Sequence, residues 1–252
     1  MSRLRFALRY ASRHFLVSLA VAGLSAALVF GLLYPPPFAA MLGVGAIFLL
    51  VLAVDVTCGP LLTLILASPA KSVRERWLDL SLVGLIQLIA LAYGLHSVWL
   101  ARPVALAFER DRLVLVTAND MDTAALPKAP PGLRELPAWG VLHVATRRPR
   151  NNAEFFANAG LGAGDASPAM RPDWWLPWDE ARAEMNRRAR PLAELIARRP
   201  QQAAALQAAA RASGLPVDKL RYLPLTSRET REWVMLLDPA LNMAGHAPVD
   251  GF

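Results

Sequence analysis

Three long apolar stretches fill most of the first hundred residues and restrict the fold more than any other feature of the chain. They run from about residue 14 to 34, 38 to 66 and 78 to 100. Each reaches the roughly 20 residues that a helix needs to cross a hydrocarbon core of about 30 Å. The first differs from a cleavable signal peptide because a proline turn and further apolar sequence follow it. We therefore predict three transmembrane α-helices in a membrane domain over residues 1–100.

The remainder of the chain, residues 101–252, has the pattern of an α+β domain. Short apolar runs rich in β-branched residues occur at 102–120 and 140–146 and predict strands. The acidic start and basic end of 178–199 predict a helix that Pro191 kinks or divides. A second helix is predicted over 201–214, and a terminal strand pair around "TSRET". The fold class is thus a membrane protein with an exported α+β domain.

Basic residues concentrate at two short flanks of the predicted spans. They are Arg3, Arg5, Arg9 and Arg13 before the first span, and Lys71, Arg74 and Arg76 between the second and third. The "PPP" turn between the first two spans carries no charge. The positive-inside rule then places the N-terminus in the cytoplasm and the C-terminal domain outside it. In a bacterium, this is an inner-membrane protein with a periplasmic domain.

The charge distribution argues against a nucleic-acid partner. The whole chain has a formal net charge of +7, but residues 101 to 252 hold 20 Lys+Arg against 17 Asp+Glu. The soluble part therefore lacks the concentrated basic surface that phosphate binding requires. Cys58 is the only cysteine, which excludes an intramolecular disulfide and a cysteine-rich metal site.

Asp55 interrupts the second apolar stretch, within "VDVTCGPLLTLIL". A straight helix over 38–66 would measure about 43 Å, which is longer than the bilayer core. Gly59 and Pro60 predict a kink at 56–60, directly after Asp55. A charged aspartate at a helix centre costs about 3 kcal/mol, so it should face protein, water or a partner, or be protonated.

Three interpretations of Asp55 remain open at the level of the sequence. It can accept hydrogen bonds from backbone amides or from the Thr57 and Thr63 hydroxyls that the kink frees. It can contact a partner within the membrane, or it can transfer a proton or ion. No second acid or base lies deep in the predicted spans, which disfavours transfer. Gln87, in the middle of the third span, is the nearest polar candidate to meet Asp55.

Small residues recur at helical spacing in two of the spans. They are Gly23, Ala27 and Gly31 in the first span, and Ala90 and Gly94 in the third. Such faces allow helices to approach closely. They predict either internal packing of the three spans or a docking face for the helix of another protein.

The sequence offers no catalytic, cofactor-binding or metal-binding motif. It contains no G-x-S-x-G turn, no H-E-x-x-H and no phosphate-binding glycine loop. The four histidines are dispersed, and the cluster Trp174, Trp175 and Trp178 is typical of a core, a membrane interface or a ligand site. We therefore expect no enzyme activity and no cofactor.

Several segments together resemble the TfpX/TfpZ family of type IV pilin accessory proteins. They are "VDVTCGPLLTLIL", "DLSLVGLIQLIALAYG", "ARPVALAFERDRLVLV" and "LRYLPLTSRETREWVMLLDP". The resemblance covers most of the chain, but a proline-rich insertion between about 121 and 170 departs from it. It implies a small inner-membrane protein that aids pilin accumulation or surface assembly, with no enzyme activity and no active-site residues.

The predicted partners are the lipid bilayer and a type IV pilin, which the resemblance implies. We expect the small-residue faces, Asp55 and Gln87 to contact the membrane helix of the pilin. We expect the periplasmic domain to contact its head. The alternatives are a membrane-anchored periplasmic enzyme and a ligand-binding sensor, although no set of nucleophile and base and no cytoplasmic output module is evident.

Overall fold

A computed structural model describes residues 2–152, 154 and 167–252. Its internal contacts divide the chain into two units, Met1–Ala101 and Arg102–Phe252. The first unit contains three helices that are long and apolar enough to cross a membrane. The second combines a mixed sheet with short helices. The predicted fold class is therefore confirmed.

The membrane unit consists of long helices joined by short turns. Helix α1 spans Arg3–Leu28 and continues as a π-helical turn over Val29–Leu33; the short α2 spans Phe38–Met41, α3 spans Val44–Leu66 and α4 spans Val73–Leu100. Because α1 begins at Arg3, His14 lies inside a helix and not at its start. A capping box begins α4, in which Ser72 and Glu75 satisfy each other's backbone N–H groups.

The second apolar stretch is divided at Gly43. This residue has φ = 63°, a left-handed conformation that glycine adopts without steric cost, and it separates α2 from α3. The 23 residues of α3 span about 35 Å, close to the thickness of a bilayer core. The excess length is thus removed at Gly43 and not at 56–60, and α3 remains helical through Pro60.

Helix α3 packs against both α1 and α4, whereas α1 and α4 hardly touch each other. The buried cluster of this unit includes Val29, Tyr34, Phe48 and Leu91. The Tyr34 hydroxyl also donates a hydrogen bond to the carbonyl oxygen of Val98 at 2.8 Å. The unit therefore has a groove whose walls are α1 and α4 and whose floor is α3.

The second unit contains one mixed sheet. Its strands are β1 (Pro103–Glu109), β2 (Arg112–Thr117), β3 (Leu142–Thr146), β4 (Trp175–Pro177), β5 (Arg190–Pro191), β6 (Arg221–Thr226), β7 (Trp233–Leu237) and β8 (Met243–Ala247). Among the described residues, the order is β4-β3-β1-β2-β6-β7-β8, with β5 also paired to β6. Strands β1 and β3 are parallel, as are β2 and β6, and the other pairs are antiparallel. The predicted hairpin, third strand and terminal strand pair are all present.

The sheet is accompanied by α5 (Arg182–Arg188), α6 (Leu192–Arg198) and α7 (Ala203–Ser213). Pro191 divides the predicted long helix, because β5 lies between α5 and α6. Helix α7 ends at Gly214, whose φ of 73° forms the left-handed cap. Trp174 and Trp175 are buried, and Trp175 packs in the core formed by β1, β2 and β3. Residues 155–166, for which the sequence predicts no element, lie outside the described part of the chain.

A candidate partner-binding site in the membrane unit

Asp55 lies on the floor of the groove between α1 and α4, where it lines a cavity of about 180 Å³. We call this the central cavity. Its polar lining residues are His14 and Ser18 on α1, Asp55 on α3 and Gln87 on α4. The remaining lining is apolar or glycine: Val17, Val21, Ala22, Leu52, Gly84, Leu88 and Leu91. The structure thus brings together Asp55 and Gln87, two of the predicted site residues.

Gln87 joins α4 to α3 through the backbone at Asp55. Its Nε2 donates a hydrogen bond to the carbonyl oxygen of Asp55 at 2.7 Å. Gly59, one helical turn further along α3, is buried and makes room for the Gln87 amide. A Cβ at position 59 would overlap that amide, so this contact requires glycine. Gly59 therefore has a packing role, whereas the sequence analysis had assigned it only a role in a kink.

The Asp55 carboxylate accepts no hydrogen bond from any residue that the structure describes. The Thr57 hydroxyl donates instead to the carbonyl oxygen of Ala53 at 2.7 Å. The Thr63 hydroxyl lies 2.6 Å from Nδ1 of His14. The two hydroxyls proposed as donors to Asp55 therefore have other partners, and Gln87 reaches the Asp55 main chain, not its carboxylate.

His14 is the residue that sequence reasoning missed. The sequence offered no second acid or base deep in the spans, but His14 lines the same cavity as Asp55. The sequence placed His14 at the start of the first predicted span, whereas α1 already begins at Arg3 and His14 lies within it. The basic, helix-forming segment before the apolar run was the available signal for this longer helix.

The predicted small-residue faces divide into two groups. Gly94 packs inside the unit, where an added Cβ would lie 3.3 Å from Cγ1 of Val51 on α3. Ala90 is exposed on α4. Gly23, Ala27 and Gly31 are exposed on α1, and no atom lies within 4 Å of a Cβ built at either glycine. We call these three residues the α1 small-residue face.

A polar cleft of about 400 Å³ in the second unit is lined by arginines and acidic residues, of which Arg148 and Arg187 pair with Glu184. Arg187 and Arg188 donate hydrogen bonds to Glu184 and lower the pKa of its carboxyl to about 2. Such a carboxylate remains ionised at neutral pH and is a poor general acid. In the described parts of the chain, no three His, Cys, Asp or Glu side chains are grouped as metal ligands.

The architecture defines a membrane-anchored protein with a C-terminal α+β domain, and comparisons with known proteins identify its family. Residues 2–43 match the family described as fimbrial assembly protein FimB. A fimbrial assembly protein of serogroup I from Dichelobacter nodosus is 34% identical over 99% of this chain and 98% of its own. The serogroup E1 protein is 33% identical over the same shares of both chains.

A third relative, of serogroups C1 and C2 of the same organism, is 43% identical over 50% of this chain and 97% of its own length. The chain therefore belongs to the fimbrial assembly protein family. The names of these relatives describe assembly and no catalytic activity. No solved structure matches the chain.

Proposed function

We propose that this protein is an inner-membrane accessory protein of type IV pilus assembly, of the TfpX/TfpZ kind. It supports the accumulation or assembly of its cognate pilin by direct contact. Membership of the fimbrial assembly family supports the assembly role. The three apolar helices support the membrane location.

The observation that carries the proposal is the Asp55 carboxylate in the central cavity. An ionised aspartate at the centre of a membrane helix costs about 3 kcal/mol on insertion scales. No described residue donates a hydrogen bond to this carboxylate and so offsets the cost. Thr57 and Thr63 on α3 and Gln87 on α4 bond to other groups. A second membrane helix that brings a hydrogen-bond donor into the groove would satisfy the carboxylate.

The topology predicted from the basic flanks suits this role. The N-terminus and the α3–α4 loop face the cytoplasm, and the C-terminal domain is periplasmic. In the pilus system that the resemblance implies, a pilin that awaits assembly has its N-terminal helix in the membrane and its head in the periplasm. We therefore assign the pilin helix to the groove between α1 and α4, with a side chain of that helix in the central cavity, and the pilin head to the α+β domain.

The α1 small-residue face is a separate candidate surface. Successive helix residues are rotated by about 100°, which places Gly23 and Ala27 on a different side of α1 from His14 and Ser18. One straight helix cannot lie along both sides. We assign the primary contact to the central cavity, because it contains the unsatisfied carboxylate, and a second helix contact to the α1 face.

The test is to replace Asp55 by alanine and by asparagine in the native host. We expect both variants to reach normal levels themselves but to reduce pilin accumulation and surface pili severalfold. Asp79→Asn is the matched control, because Asp79 at the start of α4 pairs with Lys71 at 2.6 Å outside the cavity. Normal piliation with both Asp55 variants would overturn the assignment.

A further inference from the structure

A second cavity lies at the end of the same groove, near the start of α1 and the start of α4. Its volume is about 410 Å³, and we call it the boundary groove. The residues that matter here are Tyr10, Arg13 and Val17 on α1, and Arg76, Trp77 and Leu80 on α4. The predicted spans begin at 14 and 78, so this groove crosses the predicted boundary between water and hydrocarbon.

The polar end of the boundary groove carries positive charge. Arg13 is exposed and forms no ion pair with a described residue. The Arg76 guanidinium is held by a 2.6 Å hydrogen bond to the carbonyl oxygen of Lys71 and lies 5.3 Å from the ring centre of Phe6. A guanidinium has five N–H donors, so Arg76 retains donors for a ligand.

The acidic residues nearest to this end of α4 are engaged elsewhere. Glu75 accepts the hydrogen bond of the capping box from the N–H of Ser72 at 2.7 Å. Asp79 pairs with Lys71. No acidic side chain lines the boundary groove among the described residues, and the groove is therefore positively charged.

The other end of the boundary groove is largely apolar, and His14 and Thr63, which are bonded to each other, also line the groove. Val17 and Leu80 line it, and Gly84 continues it into the central cavity. Tyr10 and Trp77 lie at the polar end, and Trp77 is 69% exposed. Tyrosine and tryptophan are enriched at membrane–water interfaces, where one end of the ring meets hydrocarbon and the other meets water.

We propose that the boundary groove binds an anionic phospholipid. Arg13 and Arg76 bind the phosphate of its head group, and an acyl chain lies along Leu80 and Val17 without entering the central cavity. Basic pockets between membrane helices recognise anionic head groups in this way, and arginine matches the geometry of phosphate oxygens. A zwitterionic lipid fits less well, because its ammonium group would approach the same two arginines.

The test measures lipid retention by native mass spectrometry of the purified full-length protein. The protein is released from vesicles that contain equal amounts of phosphatidylglycerol and phosphatidylcholine. We expect preferential retention of phosphatidylglycerol, which the double variant Arg13→Gln/Arg76→Gln reduces about tenfold. The matched control is Arg5→Gln/Arg74→Gln, which removes two exposed arginines of the same helices that do not line the groove.

An equal loss of phosphatidylglycerol retention in the two double variants would overturn the proposal, since it would indicate that the lipid is attracted by general surface charge. Equal retention of the two lipids by the unmodified protein would also overturn it. Leu80→Trp is a second variant, which fills the apolar end and keeps both arginines; it should reduce retention as well. No pilin is present in this experiment, so its outcome is independent of the proposed function.

Discussion

Two groups of small residues in the membrane unit have different surroundings. Gly59 and Gly94 lie at the contact of α3 with α4, where an added Cβ meets Gln87 or Val51. Gly23, Ala27 and Gly31 lie on α1 with open space around the glycines. The first group is used for internal packing, whereas the second is available to another helix. Small-residue spacing therefore shows where helices can approach, but not which helix approaches.

The largest loss of stability is expected for a substitution at Gly59. The variant Gly59→Leu forces a side chain into the space of the Gln87 amide, and overpacking of this kind costs about 1–3 kcal/mol. The free energy of unfolding, measured by denaturant titration in mixed micelles, should fall by that amount. Gly23→Leu is the matched control and should leave stability unchanged. Equal losses in both variants would remove the distinction between the two groups.

Gln87→Ala should cause the next largest loss of stability. It removes the interhelical hydrogen bond to the carbonyl oxygen of Asp55, which is worth about 1 kcal/mol in membrane proteins. A double-mutant cycle with Gly59→Ala sharpens the test, because alanine at 59 should cost stability only while Gln87 is present. Additive effects of the two substitutions would show that Gly59 does not serve to admit Gln87.

A smaller effect is expected for Gly94→Ala. The new methyl group would lie 3.3 Å from Cγ1 of Val51, and a shift of a few tenths of an ångström accommodates it. We expect a change in unfolding free energy of about 0.5 kcal/mol or less, as for a minor repacking. A loss as large as that of Gly59→Leu would mean that the contact at Gly94 is tighter than the structure indicates.

The smallest effect on stability is expected on the α1 small-residue face. Gly23→Leu and Ala27→Leu add side chains to an exposed surface, so the unfolding free energy should not fall. The amount of pilin that copurifies with the protein should fall, because the added side chains keep a partner helix at a distance. Ile89→Ala on α4 provides a control of similar exposure. Unchanged copurification would exclude this face as a helix contact.

Much of the α+β domain could be predicted because its signals are local. Alternation and turn residues mark the β1–β2 hairpin, Pro191 divides a helix, and Gly214 ends another. Strand β8 was not predicted, since "MAGHA" contains no β-branched residue and no Phe, Tyr or Trp. It forms because β7 offers a partner, which is a tertiary effect.

The membrane site could be predicted only in part. Asp55 and Gln87 are conspicuous as polar residues in apolar stretches, and the structure brings them together. The break at Gly43 was missed because proline is the stronger breaker in a sequence, although membrane helices tolerate it when freed backbone groups find other partners. Whether His14 lines the cavity, and which small residues pack internally and which remain exposed, depend on how the helices pack against one another.

A photo-crosslinking comparison of Leu88 and Ile89 tests the central claim most directly. These neighbours on α4 are both 61% exposed, but only Leu88 lines the central cavity. A photo-crosslinking residue at position 88 should capture the pilin in native membranes, the same residue at position 89 should not, and Asp55→Ala should abolish the capture. Equal capture from both positions, or capture at 88 that persists without the carboxylate, would contradict recognition through Asp55.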